Sequence, residues 1–229
     1  MKPLLPLLIP LLLFAACTSK PAEPDSEDPV SITIPETPPP EFFETNHSYT
    51  EIHPNVFSFE VLDETGKVTS TGYQVWGYEA RQWYSQNIVA PELASFSSLA
   101  SLSTREQYDL DLLKLEQDLL DDWRPERLNP LTVLGCTSKD AYARASATRP
   151  KTSAGSYGTA KANASAKSCL YTATAITNAW ASDKHENDFD NTSKAGQTAS
   201  ASSRESGYCC FYADALADGP PAYKRVRTK

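Results

Sequence analysis

The sequence lacks the motifs that define common catalytic and metal-binding sites. It contains three histidines in 229 residues, and neither a His-Glu-x-x-His zinc helix nor a Gly-x-Ser-x-Gly nucleophile turn occurs in it. The only His-Glu pair, His185-Glu186, is followed at the second ligand position by Phe189. His47 and His53 are six residues apart, which is not a zinc-ligand spacing. We therefore predict no metal, no cofactor and no catalytic residue.

An apolar run long enough to cross a bilayer is also absent. The longest run, Leu4 to Phe14, is interrupted by two prolines and is much shorter than the roughly 20 residues that a spanning helix needs. Lys2 precedes the run, and Ala15-Ala16 leads into Cys17. This order is typical of a secretory signal peptide, which we assign to residues 1–16.

The residues around the expected cleavage point resemble a bacterial lipobox, Leu13 to Cys17. The resemblance implies that Cys17 becomes the first residue and carries lipid; the alternative is ordinary secretion with a free thiol. Several acyl chains on one residue hold a protein stably on a membrane. Thr18 in place of aspartate implies an outer-membrane location facing the periplasm, so we expect a lipid-anchored protein of the cell envelope.

Residues 17–41 form the lipidated cysteine and a predicted tether that is rich in proline and acidic side chains. Proline removes backbone donors and the carboxylates repel one another, so this segment is expected to stay extended and disordered.

Acidic and basic side chains are unevenly distributed along the chain. Residues 18–135 hold 7 basic and 21 acidic side chains, whereas residues 136–229 hold 13 basic and 8 acidic ones. The acidic part argues against a nucleic-acid partner.

Residues 42–135 carry the strongest structural patterns and are predicted to form a small α-rich folded region. Alternating apolar residues in Val56–Leu62, a turn containing Gly66 and a second arm, Val68–Trp76, indicate a β-hairpin. Ser103 and Glu106 have the spacing of a capping box and begin an amphipathic helix that extends to Trp123.

An aromatic cluster lies near the hairpin and is the candidate ligand-binding site. Its members are Tyr73, Trp76, Trp83 and Tyr84. Such rings could stack on an envelope glycan or peptide, although aromatic rings of this kind more often belong to a hydrophobic core.

A longer stretch resembles a known bacterial family. The run from Leu99 to Leu113, then Trp123 and Asn129-Pro130-Leu131, is similar to the N-terminal part of the domain of unknown function 885 (DUF885) family, which includes many lipoproteins. The resemblance covers residues 99–135 and implies a largely helical, zinc-peptidase-like fold. The family's zinc helix lies nearer the C-terminus, so the resemblance implies a truncated fragment without its catalytic site.

Large aliphatic side chains are nearly absent from the segment that follows. Between Thr137 and Gly207 the only aliphatic residues larger than alanine, or phenylalanines, are Leu170, Ile176 and Phe189. So little apolar surface leaves the entropy of ordering uncompensated, and residues 136–229 are predicted to be largely disordered. Three origins stay open: a genuine basic tail, a small disulfide-stabilised module, or out-of-frame translation of a damaged gene.

Four cysteines follow Cys17, and in an oxidising envelope they could form two disulfides. Cys209 and Cys210 are adjacent, and trans-peptide geometry strains a bridge between neighbours. The sequence thus predicts a mainly α protein with a β-hairpin, a disordered tether and a largely disordered C-terminal segment. Two functions follow from it: an uncharacterised lipoprotein fragment, or a non-enzymatic envelope protein that binds glycan or peptide.

Overall fold

Ten antiparallel strands in two facing sheets form most of the structure. The computed structural model describes residues 36–99, 101–123, 141–150, 156–169, 171–192 and 196–229. The predictions for the signal peptide, Cys17, the tether up to residue 35, the Asn129-Pro130 turn and Cys136 lie outside these residues. None of the described helices is long and apolar enough to cross a membrane.

The strands are β1 (His47–His53), β2 (Val56–Leu62), β3 (Val68–Trp76), β4 (Tyr142–Thr148), β5 (Gly158–Lys167), β6 (Thr174–Ala181), β7 (Lys184–Asn191), β8 (Thr198–Gly207), β9 (Tyr212–Gly219) and β10 (Ala222–Thr228). The larger sheet has the order β1-β2-β3-β10-β9-β6-β7, and the smaller sheet has the order β4-β5-β8. A 3-10 turn, Pro40–Phe42, precedes β1. The helices are α1 (Tyr78–Tyr84), α2 (Ala90–Phe96) and α3 (Thr104–Asp122), with a π-helical turn, Ser85–Val89, between α1 and α2.

The prediction of a mainly α fold with a largely disordered C-terminal segment is wrong. Seven of the ten strands lie after residue 136, and β10 pairs directly with β3 of the N-terminal part. The helical fold implied by the family resemblance is corrected for the same reason. What misled the prediction is the small size of the buried side chains.

Alanine at every second position builds the smaller sheet. In β5, Ala160, Ala162, Ala164 and Ala166 are buried, while the threonine, lysine, asparagine and serine residues between them point outward or lie at the rim. The other two strands bury alanine in the same alternation. A period of two residues is the signature of a strand with one buried face, whatever the size of the buried group.

The facing surface of the larger sheet is also rich in buried alanine, and Phe59, Trp76 and Val226 add larger side chains to the same core cluster. Its buried alanines are Ala175, Ala179, Ala213, Ala215, Ala217 and Ala222. At Gly219 a Cβ atom would collide with backbone atoms of Tyr142 and Lys167. Side-chain hydrogen bonds also join the sheets, among them one from Ser70 Oγ to Ala147 O at 2.5 Å and one between Thr177 Oγ1 and Ser203 Oγ at 2.7 Å. The two backbones therefore approach closely and leave no room for larger side chains.

Helices cover the opposite face of the larger sheet, where the buried leucines lie. Leu113 and Leu120 of α3 pack with Val75, Ile176 and Leu216 of the sheet. The predicted hairpin is confirmed, because β2 pairs antiparallel with β3. The predicted capping box is confirmed as well: Ser103 Oγ accepts from Glu106 N, and Glu106 accepts from Ser103 N.

We expect Ala162→Leu to destabilise the protein by about 1–3 kcal/mol, because added methylenes in a close-packed interface force backbone shifts. Ala162 has no exposed surface, whereas its neighbour Lys161 points outward. Lys161→Leu is therefore the matched control and should change stability little. Urea unfolding, monitored by tryptophan fluorescence, gives the free energy of unfolding of both variants. Equal values for the two variants would contradict the alanine-packed interface.

Candidate functional site: a groove at the edge of strand β4

The two edge strands of the smaller sheet, β4 and β8, differ in the hydrogen bonding of their outward backbone groups. Along β8, the backbone N–H groups of Ser200, Ser202 and Arg204 each donate to a carboxylate on β7 at 2.7 Å. These carboxylates belong to Asp190, Asp188 and Glu186. Side chains of β7 thus satisfy the outward N–H donors of this edge, so a further strand cannot use these donors.

The other edge, along β4, is open. The carbonyl of Ala147 accepts the bond from Ser70 on β3 and therefore faces away from β5. Successive backbone groups of a strand point to alternate edges, so the N–H and C=O groups of Ala143 and Ala145 face the same way as this carbonyl. No hydrogen bond from another described residue reaches these groups. They form a short row of unpaired donors and acceptors.

A groove runs beside this open row. Its deeper part is a cavity of about 340 Å³, and a shallower part of about 470 Å³ continues along β4. Arg144, Glu41 and Glu44 line both parts. The deeper part is also lined by Pro39, Phe42, Gln74, Trp76, Ala141, Tyr142, Ala143 and Lys167. The unpaired edge is therefore one wall of the groove.

The segment Pro39–Glu44 forms the opposite wall and is held by buried contacts. Phe42 packs edge-on against Trp76 with ring centroids 5.5 Å apart, and its carbonyl accepts from Gln74 Nε2. Tyr49 Oη donates to Gln74 Oε1 at 3.0 Å and accepts from Glu44 N at 3.1 Å. This wall is thus fixed to β1 and β3, and the end of the predicted tether belongs to it.

Lys224 on β10 lies behind Glu44 and is fully buried. Its ammonium donates to Glu44 Oε1 and lies 3.4 Å from His47 Nε2. Burial lowers the pKa of Lys224, while the adjacent Glu44 opposes that shift. Burial and the Lys224 charge together lower the pKa of His47 to about 4, against the influence of Glu44. Glu44 is therefore paired, and the imidazole is neutral at neutral pH.

Opposite charges face each other across the groove. Glu41 and Glu44 supply carboxylates on one wall, and Arg144 and Lys167 supply cations on the other. The Arg144 guanidinium lies over the Tyr142 ring, 4.9 Å from its centroid, which fixes the cation at the rim. A ligand in the groove can therefore use backbone hydrogen bonds along β4 and ion pairs of both signs.

The four aromatic residues predicted as a ligand site do not converge. Trp76 lines the groove but is only 1% exposed. Tyr84 is fully buried on the helix-covered face, where its ring lies 5.3 Å from that of Tyr73. Trp83 stacks on His53 with centroids 4.5 Å apart. Most of the cluster therefore belongs to the core between helices and sheet, the alternative left open by the sequence.

A second charged cluster lies under α3 and has a structural role. The Arg225 guanidinium donates to Glu116 at 2.5 Å and lies 3.5 Å from Asp214, and both carboxylates are fully buried. Tyr84 and Tyr223 donate their hydroxyls to Glu116. Burial raises the pKa of Glu116 and of Asp214, and the charge of Arg225 opposes both shifts. The network ties α3 to β9 and β10, and it extends to the partly exposed side chains of Glu92 and Arg227.

The groove residues were not predicted because they come from four distant segments of the chain. The alternation of alanine with polar residues from Tyr142 to Thr148 indicates strand β4, but strand pairing decides which edge of the sheet stays open.

His185 and Glu186 lie on β7, where His185 Nε2 bonds Asn178 at 3.2 Å. Within the described residues, no three His, Cys, Asp or Glu side chains are grouped to hold a metal.

Fold and groove together define an antiparallel β-sandwich with a helical layer on its larger sheet and, among the described residues, an unpaired β4 edge on its smaller sheet. No family model, curated protein or solved structure matches the chain. The resemblance to the DUF885 family therefore gains no support and stays a prediction, while the helical architecture that it implied does not hold for the described residues.

We expect wild-type protein to lose stability relative to His47→Gln as the pH falls from 6.5 to 4. In this window the unfolded chain protonates His47 and the folded chain does not, because its pKa is about 4 when folded. The unfolded state then binds more protons, so stability falls with pH. Taking the difference in the free energy of unfolding between wild type and His47→Gln cancels the contributions of the other titrating groups.

Asp109→Asn is the matched control with the opposite sign. Burial, the largest cause, raises the pKa of Asp109 to about 6, so the folded chain holds the extra proton and the wild type gains stability relative to this variant as the pH falls from 6 to 3.8. Urea titrations at several pH values measure both differences. A pH-independent difference between wild type and His47→Gln would contradict the buried position of the imidazole.

Proposed function

We propose that this protein is a lipid-anchored, non-enzymatic binding protein of the bacterial cell envelope, and that its ligand is an extended peptide segment that adds to β4 as a further strand. The observation that carries the proposal is the contrast between the two edges of the smaller sheet. Carboxylates satisfy the edge of β8, whereas the edge of β4 lies open beside a groove.

Strand addition fits the chemistry of this edge better than glycan stacking does. The unpaired groups of Ala143 and Ala145 are spaced as a neighbouring strand requires, and peptide-binding domains use such edges through main-chain hydrogen bonds. A stacked sugar needs an exposed ring face, but Trp76 in the groove is almost completely buried. The charges on both walls favour a peptide with acidic and basic side chains.

The anchoring part of the proposal rests on residues outside the described range. Cys17, after an apolar leader and two alanines, supports lipid attachment. The proline-rich residues that follow would span about 3.1 Å each in extended polyproline geometry, which leaves the groove clear of the membrane surface. An anchored domain with an open strand edge suits capture of an unfolded or extended segment in the envelope.

A direct test uses a labelled, end-capped heptapeptide, Thr-Val-Lys-Val-Glu-Val-Thr, and fluorescence anisotropy with the full-length chain in detergent. We expect Ala145→Pro to weaken binding at least about tenfold, equivalent to about 1.4 kcal/mol, because proline removes the donor on the open edge. Proline is tolerated on edge strands whose N–H faces solvent. Thr148→Ala, which keeps every backbone donor and lies outside both parts of the groove, is the control and should bind normally.

Two N-methylated forms of the probe make the test independent of how well the proline variant folds. Methylation at alternate residues blocks the donors on one edge of the peptide only. One methylation register should abolish binding to the wild-type chain, and the other should preserve it. Equal binding of both forms, or unchanged binding by Ala145→Pro and by Arg144→Glu, would rule out strand addition at β4.

Cys17→Ser should abolish lipid attachment and release the protein from the membrane fraction. The serine hydroxyl cannot replace the thiol as acceptor of the lipid, and no other segment of the sequence is apolar enough to span the bilayer. Incorporation of labelled palmitate and membrane fractionation measure the effect. Cys209→Ser, at a free cysteine, is the matched control and should keep the label; label retained by Cys17→Ser would refute the anchor.

A further inference from the structure

Adjacent cysteines lie in the turn between β8 and β9, on the side of the smaller sheet away from the groove. Cys209 and Cys210 are both exposed and have free thiols. Their Sγ atoms are 2.8 Å apart, closer than non-bonded sulfur atoms normally approach and less than 1 Å from the ~2.05 Å bonding distance. Cys169 is disulfide-bonded, and neither member of this pair is its partner.

The backbone of this turn holds the two thiols on the same side. Cys210 has a φ of 59°, in the left-handed region that residues other than glycine rarely adopt. Ser182, in the turn between β6 and β7, fixes the segment: its N–H donates to Cys209 O at 2.7 Å, and its hydroxyl accepts from Tyr208 N at 3.2 Å. A backbone strained locally and held by a neighbouring turn is a feature of functional positions.

We propose that Cys209 and Cys210 form a reversible disulfide between adjacent residues, and that this pair exchanges with small-molecule thiols and disulfides in the envelope. The thiolate of one cysteine attacks the oxidant disulfide and releases one small thiol. The second cysteine attacks the mixed disulfide and releases the other. One external disulfide is reduced to two thiols, and the two cysteines lose two electrons and two protons.

Strain makes the bond labile. Adjacent Cα atoms are about 3.8 Å apart across a trans peptide, below the usual range of about 4.4–6.8 Å for disulfides. Strained and exposed disulfides are more easily reduced than structural ones. Strain therefore does not exclude a disulfide between Cys209 and Cys210. It makes the disulfide easy to reduce, and a sufficiently oxidising external disulfide can still form it.

The pKa of the Cys210 thiol lies above its ordinary value. The hydrogen bond from the neighbouring thiol raises the pKa of Cys210, and the Arg105 charge opposes this shift weakly. Exchange requires the thiolate, so closure should accelerate as the pH rises. Arg105 itself is held over the Tyr212 ring, 4.0 Å from its centroid, just after the cysteine pair.

Mass spectrometry of the full-length chain tests the proposal directly. Trypsin should release residues 205–224, which contain Cys209, Cys210 and no other cysteine. After treatment of the folded protein with oxidised glutathione, this peptide should be lighter by two hydrogen atoms and resist alkylation. Dithiothreitol should restore two alkylation sites at a concentration at least about tenfold below that needed to open the Cys169 disulfide.

Each possible product gives a distinct result. Three outcomes for the wild-type chain would each overturn the proposal. They are two free thiols after oxidation, glutathione retained on one cysteine, and a disulfide to another chain. Cys209→Ser and Cys210→Ser should both abolish the internal bond, and each should retain one glutathione. Ser182→Ala, which loses only the side-chain bond to Tyr208, should slow closure without preventing it.

A second probe tests the geometry without oxidation. Phenylarsine oxide condenses with two close thiols, forming two As–S bonds and releasing water. The reduced wild-type chain should bind one equivalent at residues 205–224, and either serine variant should bind it at least about tenfold more weakly, since only one As–S bond remains. Equal binding by all three proteins would contradict the pairing of the thiols. Peptide binding at β4 is measured separately, so failure of one proposal leaves the other intact.

Discussion

Close contact between two alanine-lined sheets is the constraint on which the rest of the structure depends. Where β4, β5 and β8 face β6 and β9, most of the inward residues are alanines, so this part of the interface is stabilised by many small van der Waals contacts at short backbone separation. Phe59, Trp76 and Val226, on β2, β3 and β10, belong to the same core cluster. Alanine loses almost no side-chain entropy when it is buried, which offsets part of its small hydrophobic gain. The short separation in turn excludes any larger residue from the inward positions of β4, β5 and β8.

Most of the buried leucines and charged side chains consequently lie outside the alanine-lined part of the interface. The helix-covered face of the larger sheet holds the leucines, tyrosines and the buried Arg225 network. Lys224 is accommodated beside Glu44, where the sandwich ends and the Pro39–Glu44 wall begins. Each buried cation has a carboxylate partner, as the high free energy of an unpaired buried charge requires. The groove exists because the smaller sheet has only three strands and stops short of this wall.

The sequence predicted the elements that contain large side chains. Leucine spacing and the Ser103 cap predicted α3, and alternating phenylalanine and valine predicted β2 and its hairpin partner. The strands of the smaller sheet were missed because apolar character was judged by side-chain size, while the informative signal was the period of two in runs such as Gly158–Lys167. Residues 156–229 thus follow a regular pattern that arbitrary translation of another reading frame would not be expected to give.

The groove was not predictable by the same reasoning. Which edge of a sheet stays open depends on pairings between residues more than 70 positions apart, such as Ser70 with Ala147. Single-sequence patterns report local periodicity and carry no direct information on such contacts. The cysteine pair was visible in the sequence, but the left-handed conformation of Cys210 that brings the two sulfur atoms together was not.

The position of β10 in the larger sheet has a consequence for how the chain reaches its folded state. β10 follows all other described strands in sequence, yet it lies between β3 and β9 at the centre of the sheet. Until it is in place, β1-β2-β3 and β9-β6-β7 are two separate ribbons without a shared neighbour. Folding dominated by such distant pairings is slow, so completion of the larger sheet has to wait for β10.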